Sequence, residues 1–170
     1  MQQSLSNRVI GAARLDIATY EAVERDVNAN AQALAVVVAG AIASGIGSIG
    51  AGGLTGLVGG VLAGLVSWVT YAAAAYLIGT RLLATSETRA TLGEVLRTLG
   101  FAQAPRLLLV LAWIPLLGWL VSFVVAVWVL VATLIAVRQS MELTTGRAIG
   151  TALIAWVIMV VITGLFFSLF

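Results

Sequence analysis

The chain has 170 residues, 61% hydrophobic and 9% charged, with a mean hydropathy of +1.10. Soluble domains carry roughly 25% charged residues, so this much apolar surface excludes a water-facing fold and requires lipid as solvent. The net charge is +2, and cysteine, histidine and lysine are absent, which excludes disulfides, thiolate nucleophiles, iron–sulfur clusters, imidazole ligands or bases and lysine Schiff bases.

Residues 1–30 contain no apolar core of signal-peptide length, so the first span is expected to direct insertion. Within them, residues 10–30 are predicted to form an amphipathic helix on the membrane surface. Tyr20, Val23 and Val27 recur at helical spacing, and Glu21 and Arg25 stand at i and i+4. Residues 31–170 form the membrane domain. A first span is expected at 31–50 and a second at 57–79, joined by the glycine-rich AGGLTG turn. As one helix this stretch would be roughly 70 Å long, more than twice the ~30 Å hydrocarbon core.

Residues 80–106 carry four arginines and two glutamates. Leu92, Val95, Leu96 and Leu99 form an i, i+3, i+4, i+7 stripe with Arg89, Glu94 and Arg97 off it, which predicts a second interfacial helix. Leu107 to Val137 carries no charge, and one helix of that length would be about 47 Å long. WIPLLGW supplies a break, so a hairpin is expected at Trp113, Pro115, Gly118 and Trp119, with indoles at headgroup level. It divides a short third span, 105–117, from a fourth, 119–137. The charged loop from Arg138 to Arg147 precedes a fifth span at 148–170, which ends in Phe166, Phe167 and Phe170.

The arginines orient this arrangement. Three precede the first span, four follow the second and two follow the fourth. All nine then share one face, which the positive-inside rule places in the cytoplasm, with the C-terminus opposite. The fold class expected is all-α: a polytopic bundle of five transmembrane helices with two interfacial amphipathic helices.

Small residues recur every fourth position at Gly40, Ser44, Ser48, Gly52, Gly56, Gly60 and Gly64. Such a face lets backbones approach closely, between the first two spans or between copies of the chain. No ionisable group other than tyrosine is expected inside a span, which argues against proton relays, ion-coupled transport and intramembrane proteolysis. The span hydroxyls, among them Tyr71, Thr151 and Thr163, are expected to bond within or between helices. No acidic cluster has metal-ligand spacing, and the glycine runs lack the GK[ST] of a phosphate loop. Arg89, Arg97 and Arg106 are candidates for contact with anionic headgroups. Catalytic, cofactor-binding and metal-ligating residues are not expected, nor is nucleic-acid binding: the pI near 9.7 comes from arginines interleaved with acids.

The order of features resembles a known family. YEAVERD (Tyr20 to Asp26) runs into NANAQA and the first span. LRTLGFAQAP (Leu96 to Pro105) stands before the third span, and AVRQ and GRAI bracket the last loop. This resembles the bacterial branch of the Yip family, the Ypt/Rab-GTPase-interacting membrane proteins, over roughly residues 10–160. The resemblance implies five spans with a cytoplasmic N-terminus, a place in the bacterial cytoplasmic membrane and no catalytic residue. Eukaryotic members bind Rab GTPases through a cytoplasmic N-terminal region; here that region is short and the DLYGP motif is absent, which weakens the case for a Rab partner. The expected function is a non-enzymatic scaffold or accessory subunit that binds lipids and other membrane proteins or itself. The alternatives are a subunit of a transporter or channel for a neutral or lipid-like substrate, and a peripheral structural subunit of a pigment or redox complex.

Overall fold

The computed structural model describes residues 4–47, 53–114 and 116–168. Among them the helices are α1 (Leu5–Ala13), α2 (Ile17–Arg25), α3 (Ala29–Gly47), α4 (Gly53–Leu77), α5 (Leu92–Phe101), α6 (Gly118–Ser140) and α7 (Thr145–Ser168). A π turn, Ile78–Leu82, extends α4, and a 3₁₀ helix, Ala104–Trp113, follows α5. Five stretches are long and apolar enough to cross a membrane: Ala29–Gly47, Leu57–Leu82, Leu92–Trp113, Gly118–Ser140 and Thr145–Leu165. The fold is an all-α polytopic bundle.

The amphipathic segment expected over 10–30 is a hairpin of two short helices. Leu15 has a φ of 62°, which ends α1. Asp16 starts α2 by accepting from Thr19 N (3.2 Å) and Thr19 Oγ1 (2.6 Å). A carboxylate is the better acceptor, so the Thr19 bond holds the Asp16 carboxyl below its ordinary pKa. Tyr20 and Val23 are fully buried, but Val27 is 69% exposed, because α2 has already ended at Arg25. The hairpin is tied down by Arg8, whose Nη2 donates to Asp26 Oδ2 at 2.6 Å and whose Nη1 donates to Gln32 Oε1 at 3.0 Å.

The largest departure from the sequence reading lies between residues 92 and 113. Thr91 and Glu94 form the capping box that starts α5. The apolar stripe then faces protein: Val95 and Leu99 are buried, and α2, α3, α4 and α6 all pack against the helix. Instead of lying flat, α5 is the lower half of the third long apolar stretch. That stretch therefore begins at Leu92, well before the expected start at 105.

Contacts with α3 fix the direction of this segment. Arg97 reaches Asn30, Gly100 meets Ala33, Arg106 meets Gly40, and Ala112 meets Gly47. The two run side by side in parallel. A Cβ on Gly100 would sit 2.7 Å from Ala33 Cβ, so that contact needs glycine. Pro105 suits the first turn of the 3₁₀ helix, where an N–H has no partner. At ~1.5 Å per α residue and ~2.0 Å per 3₁₀ residue, the segment is about 35 Å long, enough for the hydrocarbon core. The tighter winding gives length that an α-helix of the same residues would lack.

Arg97 explains why α5 sits inside. It is 4% exposed. Its Nε donates to Val23 O at 3.3 Å, its Nη2 to Glu24 O, and its Nη1 to Asn30 Oδ1 at 3.4 Å. The two carbonyls belong to the last turn of α2, which carries partial negative charge; Val23 O also accepts from Asp26 N at 3.3 Å. One cation thus joins α2, α3 and α5.

Beside it, burial raises the Glu24 carboxyl to about 7, reinforced by Glu94 and Glu142 and partly offset by Arg25. The lipid-facing surfaces are apolar: Phe123 and Leu130 on α6, and Leu153, Trp156 and Val157 on α7, are all exposed. α7 packs antiparallel on α4, where Tyr71 Oη donates to Ala152 O at 3.4 Å. The hydroxyls of Thr151 and Thr163 differ from expectation, being buried without a hydrogen-bond partner.

Two outcomes follow. Arg97→Met removes charged hydrogen bonds to the end of α2, a loss of about 1.5–3 kcal/mol. Thermal unfolding in detergent is expected to start lower, and trypsin to cut faster at Arg14. Unchanged unfolding and cleavage contradict this role. In the second, the raised Glu24 pKa means the folded state binds more protons than the unfolded one between about pH 4.5 and 7. Its contribution is full below that window and is lost as pH rises through 7. Asp26, lowered by its Arg8 hydrogen bond, acts only at lower pH, with opposite sign. Glu24→Gln is expected to flatten the stability slope between pH 5 and 8.

Candidate functional site

The residues singled out in the sequence separate into different environments. In the small-residue series, Ser48 and Gly52 lie outside the described residues. Gly56 belongs to the first turn of α4. Gly64 meets Ala41 Cβ at 3.4 Å, so it does serve the crossing of α3 and α4. Gly40 serves a different contact, with Arg106 Cβ at 3.2 Å. Gly60, like its neighbour Gly59, has nothing within 4 Å of a built Cβ. Gly40, Gly60 and Gly64 thus do not share one partner.

At the expected hairpin, Pro115 lies outside the described residues. Around it the chain turns: Gly118 N donates to Ile114 O at 3.0 Å, and Leu116 has a φ of 69°. Trp113 and Trp119 are 65% and 71% exposed, free to meet headgroups at the end of the bundle.

The three arginines offered for headgroup contact also diverge. Arg89 is exposed. Arg97 is buried on carbonyls and has no surface to offer a lipid. Arg106 is half-buried, with its Nη1 donating to Gln103 Oε1 at 3.4 Å. Both Arg97 and Arg106 fall within Leu92–Trp113, which corrects the expectation that spans hold no ionisable group. The cause is the earlier start of the third long stretch, which takes in Glu94 and Arg97 and moves Arg106 from its edge to its middle.

Arg106 stands deep. Its neighbour Gly40 is eleven residues into α3, about 16 Å along at ~1.5 Å per residue. An arginine at the centre of a membrane helix costs about 2.5–3.5 kcal/mol on insertion scales. Among the described residues the ion pairs are Arg8–Asp26 and Arg25–Glu21, so no carboxylate repays that cost. Instead the side chain lines a cleft of about 410 Å³ between α3, the 3₁₀ helix and α6.

The 3₁₀ geometry builds one wall of this cleft. With three residues per turn, side chains at i and i+3 eclipse, so Gln103, Arg106, Leu109 and Ala112 form a single row, and all four line it. α6 supplies the facing wall from Ser122, Val125 and Val129, at helical spacing. Gly47 of α3 lies at the end nearer the turn. The cleft has a polar floor at mid-depth, apolar flanks, and two serines in its lining, Ser44 on α3 and Ser122 toward the turn. An α-helical reading of residues 104–113 does not bring these four residues into line, which is why the sequence did not reveal the site. The one available signal was Gln103 three residues before Arg106. Among the described residues no group of three histidines, cysteines or carboxylates could hold a metal.

Comparison with curated proteins gives no match, and comparison with solved structures gives none. A family model, the Yip1 domain, matches residues 18–166, from the second N-terminal helix nearly to the end of α7. The chain belongs to the Yip1 domain family.

Proposed function

We propose that this Yip-family protein is a non-enzymatic membrane scaffold or accessory subunit that binds other membrane proteins or itself. Family membership supports the reading, and one observation carries it further. The open glycines Gly59 and Gly60 lie between exposed Val58 and Leu62 on α4. A small-residue face with apolar flanks lets a second helix approach closely in lipid, where packing and not the hydrophobic effect drives association.

Three large buried or part-buried donor groups are committed within the chain: Arg8 Nη2, Arg97 and Tyr20 bond inside the bundle. That is the pattern of a rigid carrier of surfaces. In this reading the arginine-rich face is cytoplasmic and the C-terminus lies on the opposite side of a bacterial cytoplasmic membrane.

Purification in mild detergent, with mass spectrometry of co-purifying chains, tests the proposal. A stable co-purifying membrane protein or a homo-oligomer is expected. Gly60→Leu is expected to reduce the association at least ten-fold with unchanged thermal unfolding of the monomer. A monodisperse monomer without partners contradicts it.

A further inference from the structure

Arg106 presents a problem that the scaffold reading does not solve. It is a cation at mid-depth of the bundle, and its hydrogen bond is a single 3.4 Å contact to Gln103. A guanidinium has five donors in a planar fork suited to two oxygens at once. Here the remaining donors border the cleft, and no carboxylate lines it. Charged groups inside a membrane are rare and face a partner or a polar cavity. Here the cavity is present, and among the described residues no carboxylate pairs with Arg106.

The shape indicates what fits. Gln103 and Arg106 give one polar, positively charged floor. Leu109, Val125 and Val129 give apolar flanks. A volume of about 410 Å³ is far above the ~30 Å³ share of one water and within the ~300–1,000 Å³ usual for organic ligands. A bare ion would satisfy the guanidinium but leave the flanks facing water. An amphiphile satisfies both. Gly40 and Gly47 bring α3 close to the 3₁₀ helix and keep that row in place.

We propose that the cleft between α3, the 3₁₀ helix and α6 binds the oxyanion of an amphipathic lipid. The phosphate or carboxylate oxygens accept from Arg106, with Gln103 orienting the guanidinium, and hydrocarbon lies against Leu109 and Val125. Inorganic phosphate shares the oxyanion chemistry but not the apolar part, so the two sources are separable.

The test uses the full chain in maltoside detergent with phosphatidylglycerol, phosphatidylcholine or inorganic phosphate added separately. Native mass spectrometry reads retained lipid, and thermal unfolding reads stabilisation. Wild type is expected to retain phosphatidylglycerol at least ten-fold better than phosphatidylcholine. Arg106→Gln is expected to lower retention to the phosphatidylcholine level, whereas Arg89→Gln, at an exposed arginine, leaves it unchanged. Leu109→Trp, which fills the apolar flank, is expected to lower it as well. Arg106→Leu is expected to raise the unfolding temperature of lipid-free protein, because the unpaired charge is gone; a purely structural arginine would lower it.

Equal retention of the two lipids overturns the proposal. So does equal loss in Arg89→Gln and Arg106→Gln, which marks a surface effect. Stabilisation by inorganic phosphate as large as that by phosphatidylglycerol marks a free-ion site and overturns the lipid assignment. If Arg106→Gln does not fold, the wild-type comparison of the three additives decides alone.

Discussion

A carbonyl at the end of a helix needs a donor, and a dry bundle interior supplies no water for the purpose. Several side-chain donors of this protein, from buried to exposed, are placed on such carbonyls. The last carbonyls of α1 take Tyr20 Oη on Ala12 (3.2 Å) and Trp128 Nε1 on Ala13 (2.7 Å). Those of α2 take Arg97. Those after the π turn of α4 take Arg147, on Leu83 and Ala84. Each donor comes from a different helix from the one it caps or from beyond a turn. Satisfying the backbone therefore also sets which elements are neighbours, and the N-terminal hairpin becomes a fixed part of the bundle.

This constraint changes the meaning of the arginines. Charges outside hydrophobic runs are read as solvated, and Arg89 and Arg25 are exposed. Arg97 cannot be told from these in sequence, because its partners are backbone atoms 73 and 74 residues away. Its neighbour stripe at Leu92, Val95, Leu96 and Leu99 has the period of a helix with one apolar side. That period is the same whether the side meets lipid or protein, so α5 reads as interfacial until its contacts are known.

What was legible follows from bulk hydropathy. The long apolar stretches at 29–47, 57–82, 118–140 and 145–165 fall within a few residues of expectation, because lipid thickness and helix rise leave little freedom. The third stretch is the exception: it mixes polar residues with a change of helix type. The 3₁₀ winding of 104–113 has no residue signature beyond Pro105, yet it aligns Gln103, Arg106, Leu109 and Ala112 into the wall of the cleft. The candidate site was hidden for the same reason as the third crossing.

The account rests on α5 and the 3₁₀ helix together traversing the membrane. The chain has no cysteine, so single cysteines can report sidedness without background. Ser86→Cys precedes the segment and Leu116→Cys follows it; both positions are exposed. In sealed vesicles of known orientation, an impermeant thiol reagent should label the two from opposite faces. Labelling of both from the same face would contradict the third crossing and, with it, the depth assigned to Arg106.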